Sequence, residues 1–283
     1  LDDVRIWSTV RTRSEIKENM FSELSGREDG LHAYYSFNEA DPQLDNSDLS
    51  SITDQSSNTY DGQMNNFNAD PFVGGIIGTL LEQYTGLQNI TDLDADRYAL
   101  TIQDTYGGFK IAEFEITGLT PLSLYGSEVD ITCSDANLGN ALNFNDLNSN
   151  RIAVAYSINL GITDNITLEA WIKPNPAEDT ESQVLISKLS NSATSGFEIS
   201  TGDGWNTIDF TISNGGISNT LSASGFSTDP PIINLEDGLW HHVAASYSTR
   251  TKTMAFYIDG TLFKSDDDVT DGLGSNTDQL TIG

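Results

Sequence analysis

Cysteine is almost absent: Cys133 stands alone in 283 residues, so no internal disulfide can close the chain, and the residue reads as a small buried hydrophobe in a strand. Basic side chains are scarce as well, with 13 Lys and Arg against 42 Asp and Glu, a net charge of −29. A surface that acidic repels DNA, RNA and anionic lipid, which need Lys or Arg to displace counterions. It suits divalent cations, high salt or neutral glycans. Arg5, Arg11, Arg13, Lys17 and Arg27 fall near the start and the other bases are scattered, so no nucleic-acid footprint forms. No apolar run approaches the roughly 18 residues that span a bilayer, and no signal peptide opens the sequence. The first residues, LDDVRIWS, begin in mid-pattern and read as the middle of a longer chain.

What is present is short alternation of apolar and polar residues, the signature of half-buried strands. In ITLEAWIK, Ile166, Leu168, Ala170 and Ile172 share one face while Thr167, Glu169, Trp171 and Lys173 share the other. VRIW opposes Val4 and Ile6 to Arg5 and Trp7; LHAYYSF aligns Leu31, Ala33, Tyr35 and Phe37; RYALTIQ and IAEFEI alternate likewise. Turn dipeptides punctuate these runs: Asp61-Gly62, Gly107-Gly108, Asn214-Gly215-Gly216, Asp259-Gly260 and Asp271-Gly272. With 12 Phe, 10 Tyr and 4 Trp the chain can fill a core. The expected class is all-β, of sandwich type. One helix is expected, opened by Ser14 as N-cap, with Ile16, Met20 and Leu24 on one stripe.

At the two ends the residues become specific. ALNFND (141–146), ITLEAWIKP (166–174), GLWHHVAASY (238–247), AFYIDGTLF (255–263) and LTIG (280–283) resemble, in family order, the laminin G-like, concanavalin A-type jelly roll of bacterial surface proteins. The family's closing strand and short helix resemble LDDVRIWSTVRTRSEIKENM, which here stands first, followed by GLHAYYSFNE and ITDQSSNTYDGQM. The middle, GLQNITDLDADRYALTIQDTYGGFKIAEFEITGLTPLSL, resembles the SprB-type Ig-like repeat of Bacteroidota gliding-motility adhesins, with Arg97 replacing a glycine and Phe109 replacing the repeat's cysteine. Three zones result: 1–70, the C-terminal part of a jelly roll; 71–137, an Ig-like repeat; and 138–283, a jelly roll lacking its closing strand. Two arrangements of the ends are open. In the tandem one, residues 1–68 finish an upstream domain; in the closed one, they complete 138–283. The tandem arrangement is the expectation, because an Ig-like sandwich places its termini at opposite poles.

Concanavalin A-type folds also host glycosidases, which place two carboxylates about 5 Å apart for retention. The nearest match to the glucanase pattern, Glu128-Val129-Asp130 with Cys133 in the acid's place, lacks the second glutamate, so no enzyme is expected. His241 and His242 are adjacent on a strand and point to opposite faces, which prevents joint chelation. A hard cation wants six to eight oxygens, and the loop from Asn145 to Asn150 supplies candidates: calcium is expected at Asp146, Asn148 and Asn150, the place where related lectin folds bind it. Asp266, Asp267 and Asp268 read as a solvated acidic turn, and Asp3 as a partner for Arg5. For glycan stacking the candidate platform is Trp205, in the GDGWN turn, whereas Trp7 and Trp171 read as second-layer packing residues.

The resemblance implies an extracellular, cell-surface adhesin segment that binds glycans or surface polysaccharide, adjoins further repeats of the same long chain, and is exported by the type IX route in gliding motility. Two other functions fit the same residues: a structural spacer of a surface stalk, and the carbohydrate-binding appendage of a secreted glycoside hydrolase.

Overall fold

The computed structural model describes residues 1–40, 46, 48–67, 71–74, 89–93, 97–103, 109–115, 122–125, 140–144, 150–175, 182–190, 192–202, 205, 207–224, 235, 238–270 and 272–283. Along the chain come β1 (Asp2–Trp7), α1 (Arg13–Asn19), β2 (Leu31–Tyr35), β3 (Ser51–Ile52), β4 (Gly62–Asn65) and β5 (Phe72–Gly74). Then follow β6 (Asn89–Leu93), β7 (Arg97–Gln103), β8 (Phe109–Glu115), β9 (Leu122–Tyr125), β10 (Asn140–Leu142) and β11 (Arg151–Val154). The remainder is β12 (Ile166–Ile172), β13 (Val184–Ser187), β14 (Gly196–Thr201), β15 (Thr207–Asn214), β16 (Ile217–Ser224), β17 (His241–Ser248), β18 (Thr253–Ile258), β19 (Thr261–Asp266) and β20 (Leu280–Ile282).

Two antiparallel sheets face one another. One has six strands in the order β19-β18-β17-β12-β1-β2, the other eight in the order β16-β15-β14-β13-β20-β11-β4-β3. Their inner rows fill one core. Val4, Ile6, Leu168, Ala170, Val243, Ala245 and Phe256 from the first sheet meet Ile152, Val154, Ile186, Ile199, Ile208, Phe210 and Ile282 from the second. The period-2 alternation read in the sequence is what presents one apolar row per strand to this interface. Asp259 and Gly260 both take positive φ (51° and 66°), as a two-residue hairpin between β18 and β19 requires.

The N-terminal strand decides the arrangement of the ends. β1 pairs with β12 on one side, Arg5 opposite Glu169 and Ile6 opposite Leu168, and with β2 on the other, Val4 opposite Tyr35 and Ile6 opposite Ala33. Residues 1–8 and 31–37 thus pair as antiparallel neighbours joined through the helix. The tandem arrangement is not present: residues 1–7 lie in the same sheet as 253–258 of the same chain, and β4 and β3 complete the opposite sheet beside β11. The physical reason lies at the junction. β5 and β10 form an antiparallel ladder with Gly74 opposite Asn140 and Phe72 opposite Leu142, so the chain leaves and returns at one point and need not travel back along an inserted unit. Residues 72–74, expected in the Ig-like zone, belong instead to this stem. Within the insertion β6 pairs with β9 and β7 with β8; the rest of the expected Ig-like repeat, Cys133 included, lies outside the described residues.

A small second core lies on the outer face of the six-stranded sheet, and the helix segment makes it. α1 is capped by Thr12, with the Thr12 side chain bound to the Glu15 backbone and the Glu15 carboxylate bound back to Thr12, a reciprocal box that displaces the expected Ser14 cap. Ile16 and Met20 are buried. Trp171, fully buried, packs with Met20, Phe21 and Trp240, and its indole donates to the Met20 carbonyl at 2.8 Å. Trp7 packs with Leu31, Tyr34 and Leu24. Leu31 was expected on the inner row with Ala33; a register shift between Ile6 and Trp7 sets it opposite Trp7 instead, and a bulge of this kind carries a side chain to the other face.

The closed arrangement predicts that residues 75–139 are dispensable for folding. Replacing them by an Asn-Gly turn between Gly74 and Asn140 should leave a single cooperative urea transition whose midpoint matches that of the two sheets in the intact chain. A shortened chain that is unfolded in buffer, or that unfolds in separate steps for 1–74 and 140–283, would show that the two parts do not make one domain.

Candidate functional site

One end of the sandwich gathers a set of side chains from four connections. The register locates it: Val154 at the end of β11 lies opposite Gly62 at the start of β4 and Leu280 at the start of β20, while Ser187 at the end of β13 lies opposite Thr281. The segments just beyond these residues, Tyr156–Leu160, Tyr60, Asn276–Asp278 and Lys188, therefore meet at the same end.

Tyr156 is the centre of the group. The alternation Ile152, Val154, Tyr156, Ile158 outlasts its strand, which stops at Val154. The last two members consequently project beyond the sheet, Tyr156 with 45% and Ile158 with 78% of its surface exposed. Among the described residues Tyr156 is the one aromatic side chain exposed to this degree. Its ring sits over the Lys188 ammonium, 5.3 Å from Nζ to the centroid. That distance suits a cation–π contact.

Lys188 is itself only 2% exposed. Its Nζ donates to the Asp278 carbonyl at 2.6 Å, the Asn276 Oδ1 at 3.1 Å and the Asn276 carbonyl at 3.2 Å. Asn276 is fixed in turn: Nδ2 donates to the carbonyls of Lys188 and Ser195, both at 2.8 Å, and Oδ1 accepts from the Asp278 amide. Gly196, at φ +119°, leaves the room this requires, since a Cβ there would come within 1.9 Å of the Lys188 carbonyl oxygen. Burial pushes the Lys188 ammonium below the usual lysine range, against the pull of Asp278. The ring, in a residue 45% exposed, is thus held on a fixed base.

His32 braces the adjoining turn. Its Nε2 lies 2.6 Å from the Asn159 carbonyl; a carbonyl only accepts, so the ring carries its proton on that nitrogen. The ring also leans on Tyr60, centroids 5.7 Å apart. Burial lowers the His32 pKa from its ordinary 6.5, outweighing the Asn159 contact and the pull of Asp54.

The residues expected to act are placed otherwise. Trp205 is 6% exposed and packs in the main core, so the expected exposed platform is corrected: the β14–β15 turn folds its indole inward, where burying an apolar ring is worth more than a polar turn residue would be. Asp146 and Asn148 lie outside the described residues; Asn150 donates its amide to the Asn66 carbonyl at 3.1 Å, at the opposite end of the sandwich from Tyr156. Glu128 and Asp130 also lie outside the described residues. His241 and His242 point to opposite faces as read, His241 to Asp259 at 2.9 Å and His242 towards Glu169 at 3.4 Å. Asp266, Asp267 and Asp268 form an exposed turn in which the Asp268 amide bonds the Asp266 carboxylate. Asp3 pairs with Arg5. Among the described residues no three acids, histidines or cysteines converge as a metal site, and no helix is long and apolar enough to cross a membrane.

The depressed His32 value has a pH consequence. Between the folded-state pKa and about 6.5, the unfolded chain takes up a proton that the folded ring refuses, so stability present above that window falls as pH drops through it. Relative to wild type, His32→Asn should lose less stability between pH 7 and pH 5 in urea titrations; equal losses would show that His32 does not set the slope.

Residues 146–283 match Laminin_G_3, described as the concanavalin A-like lectin/glucanases superfamily. Among solved structures the chain is similar to the binding domain of Paraclostridial Mosquitocidal Protein 1, with 18% identity, 51% of this chain and 35% of that one covered, and a TM-score of 0.41. It is also similar to domains LG4-5 of the mouse laminin alpha1 chain, with 16% identity, 43% and 28% covered, and a TM-score of 0.33. A third similarity is to the Ruminococcus gnavus IT-sialidase CBM40 bound to alpha2,6 sialyllactose, with 13% identity, 43% and 65% covered, and a TM-score of 0.34. The chain therefore spans about a third of the first of these proteins' length. No curated protein matches. Residues 146–283 of the present chain are thus similar to the concanavalin A-like lectin/glucanases superfamily.

Proposed function

We propose that this chain is a non-catalytic, glycan-binding segment of a large secreted adhesin at the cell surface, serving in gliding motility after export by the type IX route. The observation that supports binding is the partly exposed Tyr156 ring held against a buried ammonium. An amphipathic ring fixed in place offers the apolar C–H face of a sugar a contact at little conformational cost. An amide and a carboxylate stand at the same end, at Asn159 and Asp278, able to take sugar hydroxyls. The adhesin setting rests on the resemblance of the middle zone to SprB-type repeats and on the acidic, disulfide-free composition. A glycan array probed with the intact chain tests the reading. Binding should appear and fall about tenfold on Tyr156→Ala, the scale of an aromatic anchor, with thermal stability unchanged. Trp205→Ala should instead cost about 3–5 kcal/mol of stability, as for other buried aromatic rings. An array without signal, or signal indifferent to Tyr156→Ala, would remove the site.

Calcium at the 145–150 loop is proposed separately, with Asp146 as the charged ligand and Asn148 and Asn150 as amide ligands. Isothermal titration of the intact chain should show heat that Asp146→Ala weakens; no heat, or the same affinity in the variant, would rule the site out.

A further inference from the structure

We infer that the Tyr156 platform selects neutral glycans and discriminates against sialylated or sulfated ones, because the cation against its ring is consumed inside the fold. The inference rests on the glycan-binding reading above and specifies its ligand class. Recognition of a sugar carboxylate or sulfate needs a cation with donors to spare, usually an arginine that can bind it through two N–H groups. Lys188 has none to spare. Its three N–H bonds are matched by three oxygens, of Asn276 and Asp278, and the residue is only 2% exposed, with the Tyr156 ring against its ammonium. His32 is no substitute, since its Nε2–H is given to Asn159 and burial favours the neutral ring.

The surroundings add repulsion. The β17–β18 turn at this end brings Arg250 and Lys252, but Asp164, Asp266, Asp267, Asp268 and Asp278 stand at the same end. Thr249, beside Arg250, is bonded to Asp164. The whole chain carries a charge of −29, and an anionic ligand approaches such a surface against the field. What the platform offers is an apolar ring, the exposed Ile158 side chain and hydrogen-bond acceptors, which fit the C–H faces and hydroxyl donors of an uncharged sugar.

The test is a paired array in which each neutral oligosaccharide is printed beside its sialylated and sulfated forms, probed with the intact chain at low and high NaCl. Neutral members should bind with little response to salt, since no charge pair is made, and their acidic counterparts should bind at least about tenfold more weakly at low salt. Tyr156→Ala should weaken binding about tenfold and Tyr156→Phe should retain it. Acidic members that bind as well or better, with Tyr156→Ala still weakening the signal, would overturn the selectivity and leave the platform standing. No binding to any member, or binding that ignores Tyr156→Ala, would overturn the glycan reading itself and this inference with it.

Discussion

β1 hydrogen-bonds along both edges, to β12 and to β2, and much else in the domain follows from its seat between them. Without it β2 has no partner in the sheet, and β12 becomes an unpaired edge with a buried hydrophobic face, an aggregation hazard. Its inner residues, Val4 and Ile6, join the main core while its outer residues, Arg5 and Trp7, organise the second one. Leu1 continues the connection to the stem of the insertion, its amino group donating to the Leu142 carbonyl and its carbonyl accepting from the Leu142 amide, at 2.8 and 2.9 Å. A single strand thus joins two sheet neighbours, two cores and the attachment point of the inserted residues.

The outer core is unusual in what it buries. Arg5, fully buried, pairs with Asp3 and donates to the carbonyls of Asn19 and Ser22 at 2.8 and 2.7 Å. The Asn19 carbonyl lies at the C-terminal end of α1, where the helix dipole is negative, and the Ser22 carbonyl lies just beyond it, so one guanidinium both meets the helix end and docks it. Burial raises the Asp3 carboxyl, opposed by Arg5. An ion pair in such a place is weak support for stability by itself, yet removing one member leaves the other charge stranded, at about 3–5 kcal/mol. The arrangement acts as a lock on register: Asp3 sits at positive φ (50°) at a break in the β1–β12 register, and slipping β1 by one residue would bring Arg5 into the apolar core.

Much of this was legible. Strand alternation located β1, β2, β7, β8 and β12, and the opposition of Arg5 and Trp7 to Val4 and Ile6 correctly separated outer from inner residues. Closure was not legible, because it depends on how an insertion leaves and returns, and that is set by the three-residue ladder of β5 and β10 rather than by composition. The edge protection of β2 was hidden for a similar reason. The segment ITDQSSNTYDGQM attracted notice only as a family motif. In the fold its Asp54 carboxylate accepts from the amides of Tyr34, Ser56 and Tyr60 and from the Ser56 hydroxyl at 2.8 to 2.9 Å. An acid among ordinary turn residues gives no sign in the sequence that its side chain will satisfy a strand edge. Trp205 failed in the opposite sense, since a turn of Gly and Asp suggests exposure while the indole obeys the hydrophobic effect. Tyr156 did leave a signal that went unread: an apolar alternation two members longer than its strand.

The two ends of β1 separate two tasks. Leu1 lies at the end where the chain departs for the insertion, and Trp7, opposite Leu31, lies at the end where His32 braces the Tyr156 turn. Six strand residues at about 3.3 Å each place these ends roughly 20 Å apart. The attachment points of residues 75–139 are therefore distant from the platform, and changes in the inserted segment need not disturb the ring. The base of the platform carries little of the closure: Lys188 and Asn276 satisfy one another locally, His32 reaches it through the Asn159 carbonyl, and β1 is held by strand ladders and by Arg5. A site built on its own hydrogen-bond network at the end of a sandwich that is closed elsewhere can exchange Tyr156 or Ile158 at small cost to folding, because neither side chain is required by the core beneath.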